Sequence, residues 1–275
     1  GMRGPDFART LAAALHGART LTQMHLQLRV ETHMIDTLDA MVAFVQRAGI
    51  SYVVWNDHLP HKHLSQGKRP PGLTGQALKA GRAPEDHARL LERLHANGPD
   101  LADALGRVAG QLAAQGVRMG SHDDHTAADR ARFRALGADL CEFPETLDAA
   151  RAAKAAGEPV IMGAPNVVRG ASHSGKVAAE ALIEAGLVDA LVSDYHYPTL
   201  ARAALKLAPR IGWAAAWGLV STGPARVMGW HDRGRIAPGA RADLTIMDEQ
   251  GAICGTIAGG RVSHLAGALA ARMLS

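Results

Sequence analysis

The chain has 275 residues, 47% of them hydrophobic, enough to bury the core of one large domain or of one domain with an appendage. Its net charge of +4 comes from scattered Lys and Arg, and with 4% aromatic residues it lacks the aromatic-studded basic face of a nucleic-acid binder. Two distant cysteines, Cys141 and Cys254, exclude a disulfide framework or zinc ribbon. With no signal-peptide layout and no membrane-spanning apolar run, the sequence reads as a cytoplasmic protein.

In chain order, the opening segment FARTLAAALHGARTL reads as a helix. After it, short β-branched or apolar runs alternate with longer alanine- and leucine-rich segments of helical period. The strand candidates are LQLRVET (26–32), ISYVVWN (50–56), VRMGS (117–121), DLCEF (139–143), PVIMG (159–163) and DALVS (189–193). The helical stretches are 35–48, 86–115, 125–136, 146–156, 175–186, 198–208 and 213–220. TLDAARAAKAAGE carries the expected punctuation, a threonine before the helix and a glycine behind it. Such alternation argues for an α/β fold of parallel strands joined by right-handed helical crossovers.

Each of these six runs ends in polar or ionisable chemistry. In order they offer Glu31 and His33, Asp57 and His58, and the cluster His122, Asp123, Asp124 and His125. Glu142 and Glu145, then Asn166 behind Pro165, and finally Asp194 complete the series. In a (β/α)8 barrel the loops at that end converge on the active site, whereas an open doubly wound sheet gathers function at one crevice. The barrel fits better, although six units leave it two short of closure. The boundaries that follow are 1–228 for the barrel domain, incomplete at its amino end, and 229–264 for the carboxyl-terminal strands of a small β-sandwich, with a tail over 265–275. The sandwich assignment rests on RGRIAPGARADLTIMDEQGAICGTIAGGRVS, where glycine turns replace helical periodicity.

A rim of His and carboxylate suits zinc, manganese or iron, with zinc first. His122 and Asp194 are the leading ligands, because each ends a strand directly behind an apolar run, and Glu31 follows. His33, His58 and Glu142 are further candidates, against the plainer reading of turn residues or, for Glu142, a surface acid or an Arg partner. Asp123 and Asp124 read as caps of the helix that begins at 125, and HKH (61–63) reads as loop within DHLPHKHLSQGKRPPG. In APNVVRGASHSGK (164–176), Asn166 ends a strand and Arg169, Ser172, His173 and Lys176 lead into a helix. Cations beside backbone N–H groups at a helix start favour phosphate, so a small phosphorylated molecule is the expected partner.

The segments SHDD, EFPET, MGAPNVVRGASHSG, SDYHYP and GRIAPGARADLTIMD resemble the amidohydrolase superfamily, and within it the phosphonate-metabolism M-type branch, over residues 24 to 264. The resemblance implies a metal-dependent barrel with a small β-sandwich. The implied reaction is hydrolysis of α-D-ribose 1-methylphosphonate 5-triphosphate to the 5-phosphate and pyrophosphate. By position, Glu31 ends the third barrel strand, NDH (56–58) the fourth, His122 the fifth, Glu142 the sixth, Asn166 the seventh and Asp194 the eighth. Asp194 is then the aspartate that accepts a proton from the attacking water. The chain departs from the pattern in having no His-x-His before residue 24, and in carrying Lys176 where a neutral polar residue is expected.

Two rival functions use the same residues differently. An amide or cyclic-amide hydrolase, or a deaminase, keeps the metal and dispenses with the phosphate groups. A binding or assembly subunit dispenses with both. For the hydrolase itself, a homo-oligomer is among the arrangements left open.

Overall fold

The computed structural model describes residues 4–170 and 176–274, which group into two compact units. The first comprises Gly1–Ala18, His25–His122 and Arg132–Asp139; the second comprises Arg19–Met24, Asp123–Ala131 and Leu140–Ser275. Among the described residues no helix is long and apolar enough to cross a membrane.

The chain begins with α1 (Pro5–Gly17), β1 (Gln27–Glu31), a 3-10 turn at Ile35–Thr37 and α2 (Leu38–Ala48). It continues through β2 (Tyr52–Asn56), α3 (His61–Leu64), α4 (Leu73–Lys79), α5 (Pro84–Ala96), α6 (Gly98–Ala114) and β3 (Arg118–His122). β1, β2 and β3 pair in parallel, with Glu31 beside Asn56 and Trp55 beside Ser121. All five residues of YVVWN are buried, as a central parallel strand covered on both faces requires. Val30, Val53, Trp55 and Met119 of these strands share a core with Leu38 and Val45 of α2 and with Leu105, Val108 and Leu112 of α6. Gly49 turns the chain out of α2 at φ 61°, a left-handed position that favours glycine. Ile50 then donates its N–H to the Val45 carbonyl.

α7 (Ala127–Ala135) precedes β4 (Leu140–Glu142), α8 (Leu147–Ala155), β5 (Val160–Gly163), α9 (Ala164–Arg169) and α10 (Ala179–Glu184). β6 (Ala190–Val192), α11 (Thr199–Ile211), α12 (Trp213–Gly218) and α13 (Thr222–Val227) follow. β4, β5 and β6 pair in parallel around a second core that includes Cys141, Val160, Met162, Leu182, Leu191 and Leu207. Thr146 caps α8 as its sequence predicts, accepting a hydrogen bond from the Ala149 N–H at 3.1 Å. An antiparallel sheet of β7 (Leu244–Met247), β8 (Ile253–Ala258) and β9 (Arg261–Leu265) is the expected small β module. The expected tail is instead helical, as α14 (Gly267–Leu274), whose Leu269 lies over the bare backbone of Gly255.

Three further expectations are corrected. The helix read over 86–115 is two helices, because Gly98 and Pro99 open α6. Pro99 has no N–H to continue a preceding helix. Asp124 is not an exposed cap: it is buried and pairs with Arg130 of α7 at 3.2 Å. HKH, read as loop, lies in the single helical turn α3.

Candidate metal centre

In the first unit the parallel register brings the ends of β1, β2 and β3 to one level, and three expected ligands meet there. Glu31 is the last residue of β1 and His122 the last of β3, while His58 follows β2. Glu31 Oε1 lies 2.8 Å from His58 Nδ1, and the rings of His58 and His122 are 6.1 Å apart, edge to face. Burial pushes the Glu31 carboxyl upward, but hydrogen bonding and charge from His58 outweigh it and hold the group below the usual carboxylate range. Arg29 Nη1 sits 3.1 Å from His122 Nε2. A guanidinium can only donate, so that imidazole nitrogen is an acceptor in this arrangement. Imidazoles and carboxylates are the donors that a zinc-, iron- or manganese-type ion takes, and the donor atoms of His58 and His122 lie within 4.8 Å of one another. The two histidines fit such an ion, with Glu31 held to His58.

His33 goes elsewhere. It stands in the turn after β1, buried to 5% exposure, and its Nε2 faces Asp57 Oδ2 at 3.4 Å. His61 of α3 meets the other Asp57 oxygen at 2.8 Å, and its second nitrogen lies 3.0 Å from His95 Nδ1. Arg132 also reaches Asp57, at 3.4 Å. Burial raises the Asp57 carboxyl, yet hydrogen bonds from His33 and His61 overcome that and hold it far below the ordinary range. Sequence reading missed this group: His61 opens α3 and Asp57 lies in the stretch before it, so no regular period linked them. Nor did one link His95, 34 residues beyond His61.

In the second unit Glu142 ends β4 and is 6% exposed, so it is not the surface acid that one reading allowed. Asp194 lies just beyond β6, exposed, with φ at 50°. Asp123 and Phe143, each directly behind a strand, share that left-handed backbone at 60° and 52°. It is an uncommon state for residues other than glycine, and here it turns the chain sharply at strand ends.

The phosphate candidates are mostly engaged with the protein itself. Asn166 is not at a strand end but within α9, where its side-chain oxygen accepts the Ala179 N–H at 3.1 Å and so holds the start of α10. Lys176 pairs closely with Glu145 and lies 3.4 Å from Asp123. Burial works against its charge, but those two carboxylates more than compensate and raise its pKa. Arg169 donates to the Tyr195 hydroxyl. Ser172 and His173 lie outside the described residues.

Comparison with known proteins places this geometry. No family model matches the sequence. Among solved structures the chain is similar to N-acetylglucosamine-6-phosphate deacetylase from Pasteurella multocida, with 10% identity, 95% of this chain and 74% of that one covered, and a TM-score of 0.58. It is also similar to a prolidase, with 14% identity, 84% and 59% coverage and a TM-score of 0.55. Ochratoxinase from A. niger gives 15% identity, 85% and 55% coverage and a TM-score of 0.51. Identities this low speak for fold alone, an α/β barrel-type fold with a parallel sheet and a small antiparallel β module.

A particular relative stands out in sequence. Over 235 residues the chain is 36% identical to the α-D-ribose 1-methylphosphonate 5-triphosphate diphosphatase of Escherichia coli (strain K12). The match covers 80% of this chain and 60% of the relative's length.

Proposed function

We propose that this chain belongs to a metal-dependent hydrolase. Its reaction would be cleavage of α-D-ribose 1-methylphosphonate 5-triphosphate to the 5-phosphate and pyrophosphate. The observation that carries the reading is the 36% identity to the Escherichia coli diphosphatase. The meeting of Glu31, His58 and His122 at one level of three parallel strands supports it. These three side chains hold a divalent ion, zinc first and manganese or iron otherwise, with Glu142 a further candidate. An ion bound there supplies Lewis acidity and offsets charge on a phosphate oxygen.

The chain's own residues then have distinct tasks. Glu31 orients His58 through their 2.8 Å contact, and Arg29, which donates to the His122 Nε2 lone pair, gives that lone pair up when an ion is bound. Asp194 takes the proton from the attacking water, a role its exposure permits. Arg169, with Ser172 and His173 beyond it in sequence, neutralises phosphate charge as the anhydride bond breaks. Lys176 joins them by exchanging Glu145 and Asp123 for a phosphate oxygen.

Substitution of Arg169 tests the reading against an amide-hydrolysing rival. In the full-length, metal-loaded protein, Arg169→Ala should lower kcat/KM for the triphosphate by about 100- to 1,000-fold, as loss of one transition-state donor does. An unchanged rate would remove the phosphate role from this loop.

A further inference from the structure

A second cluster of metal-type donors lies in the first unit and has no part in the proposed reaction. Asp57 and His58 are adjacent in the chain but serve different groups: His58 meets Glu31, and Asp57 meets His33 and His61. The cluster draws on three segments, the turn after β1, the stretch after β2 and the helical turn α3. Its inner pair is buried, His33 at 5% and the Asp57 side chain at 10%, while 41% of the His61 side chain stays exposed. It is a walled corner with one open side.

Hydrogen-bond partners fix which nitrogens face inward. The Leu94 carbonyl can only accept, so at 3.2 Å it takes the Nδ1 proton of His33. With Nδ1 engaged there, His33 presents Nε2 to Asp57 Oδ2 at 3.4 Å, a pair of atoms that either a proton or a cation can bridge. His61 is arranged in the same way: its Nε2 faces Asp57, and its Nδ1 faces His95 Nδ1 at 3.0 Å. Moving one proton from Nε2 to Nδ1, where His95 accepts it, leaves both inward nitrogens as lone pairs. A backbone or side-chain acceptor behind each imidazole is the usual support of a metal-binding histidine.

We propose that His33 Nε2, His61 Nε2 and an Asp57 carboxylate oxygen form a second binding site for a divalent ion of the zinc type. The three ligand atoms lie within 4.8 Å of one another. Tetrahedral zinc, with bonds of about 2.0–2.1 Å, holds its ligand atoms roughly 3.4 Å apart, so closure needs movements of about an ångström. Two imidazoles and a carboxylate leave a fourth position on the exposed side of His61. The ion's task is to fasten the chain leaving β2 to the turn after β1. The inference does not depend on the proposed reaction, because none of its ligands belongs to the strand-end trio.

Cobalt(II) is the probe. The variant E31Q/H58A/H122A lacks the strand-end donors, and after loading and desalting it should retain one cobalt per chain. Its absorption should show a low-coordinate nitrogen and oxygen site without a thiolate charge-transfer band. Adding H33Q and H61Q should release that ion while leaving the circular dichroism unchanged. A folded E31Q/H58A/H122A that retains no cobalt overturns the proposal, as does an ion that survives H33Q/H61Q. Should the triple variant not fold, H61Q alone decides against the unmutated protein: one ion fewer per chain supports the site, and equal content overturns it.

Discussion

Cys141 lies in β4 with its sulfur 3.5 Å from Asp124 Oδ2. Burial first, and the negative charge of Asp124 after it, push its thiol well above the ordinary range. An unfolded cysteine ionises near pH ~8.5, while the folded one keeps its proton beyond that value. Above that pH the folded state binds more protons, so this residue makes stability fall as pH rises, through the window between the two pKa values. The urea midpoint should therefore drop more steeply between pH 8 and pH 10 in the unmutated protein than in Cys141→Ala, with pH window set by the thiol's ordinary value of about 8.5. Alkylation gives a second readout. In native protein at mildly alkaline pH, Cys254 should react first and Cys141 only in denaturant; equal native rates would contradict the assigned environment.

At the level of single elements, α7 is fastened by charge inside the protein. Arg130 is 0% exposed and meets Asp124 at 3.2 Å, Glu158 at 2.9 Å and the Leu140 carbonyl at 3.2 Å. Without Asp124, Arg130 keeps Glu158 as a carboxylate partner and loses a charge-assisted hydrogen bond, worth about 1.5–3 kcal/mol. Asp124→Ala should lose about that much in urea unfolding, and a loss below about 0.5 kcal/mol would mean that water replaces the carboxylate. In α13, a Cβ at Gly223 would stand 2.1 Å from the Asp189 carbonyl and 2.9 Å from that of Gly218. Backbone cannot retreat as a side-chain tip can, so Gly223→Ala should cost about 1–3 kcal/mol or more, read as a fall in Tm. The elements themselves were largely legible. Six strands and most crossover helices follow from the alternation of apolar runs with helical periods. What escaped was short helical chain without a strong pattern: α3, α4, α9 and α13 have seven residues or fewer, and α14 sits in a segment read as tail.

Over the whole molecule, the barrel-type fold was legible because every strand run ended in polar chemistry, and solved structures similar to it share that fold. Glu31, His58 and His122 were legible as candidates because each ends or follows a strand, and Glu31 and His58 do meet. Their division into two clusters was not. Whether a histidine behind a strand turns toward Glu31, as His58 does, or toward Asp57, as His33 does, depends on partners far along the chain, Leu94 and His95 among them. Nor could sequence show that Asn166 and Lys176 already have partners in Ala179, Glu145 and Asp123. The most direct test of the account is pyrophosphate release from α-D-ribose 1-methylphosphonate 5-triphosphate by the full-length protein, stripped of metal and then reloaded. Pyrophosphate and the 5-phosphate should appear in equal amounts after reloading, and Glu31→Gln with His58→Ala should abolish both. A folded, metal-loaded protein that releases no pyrophosphate would contradict it.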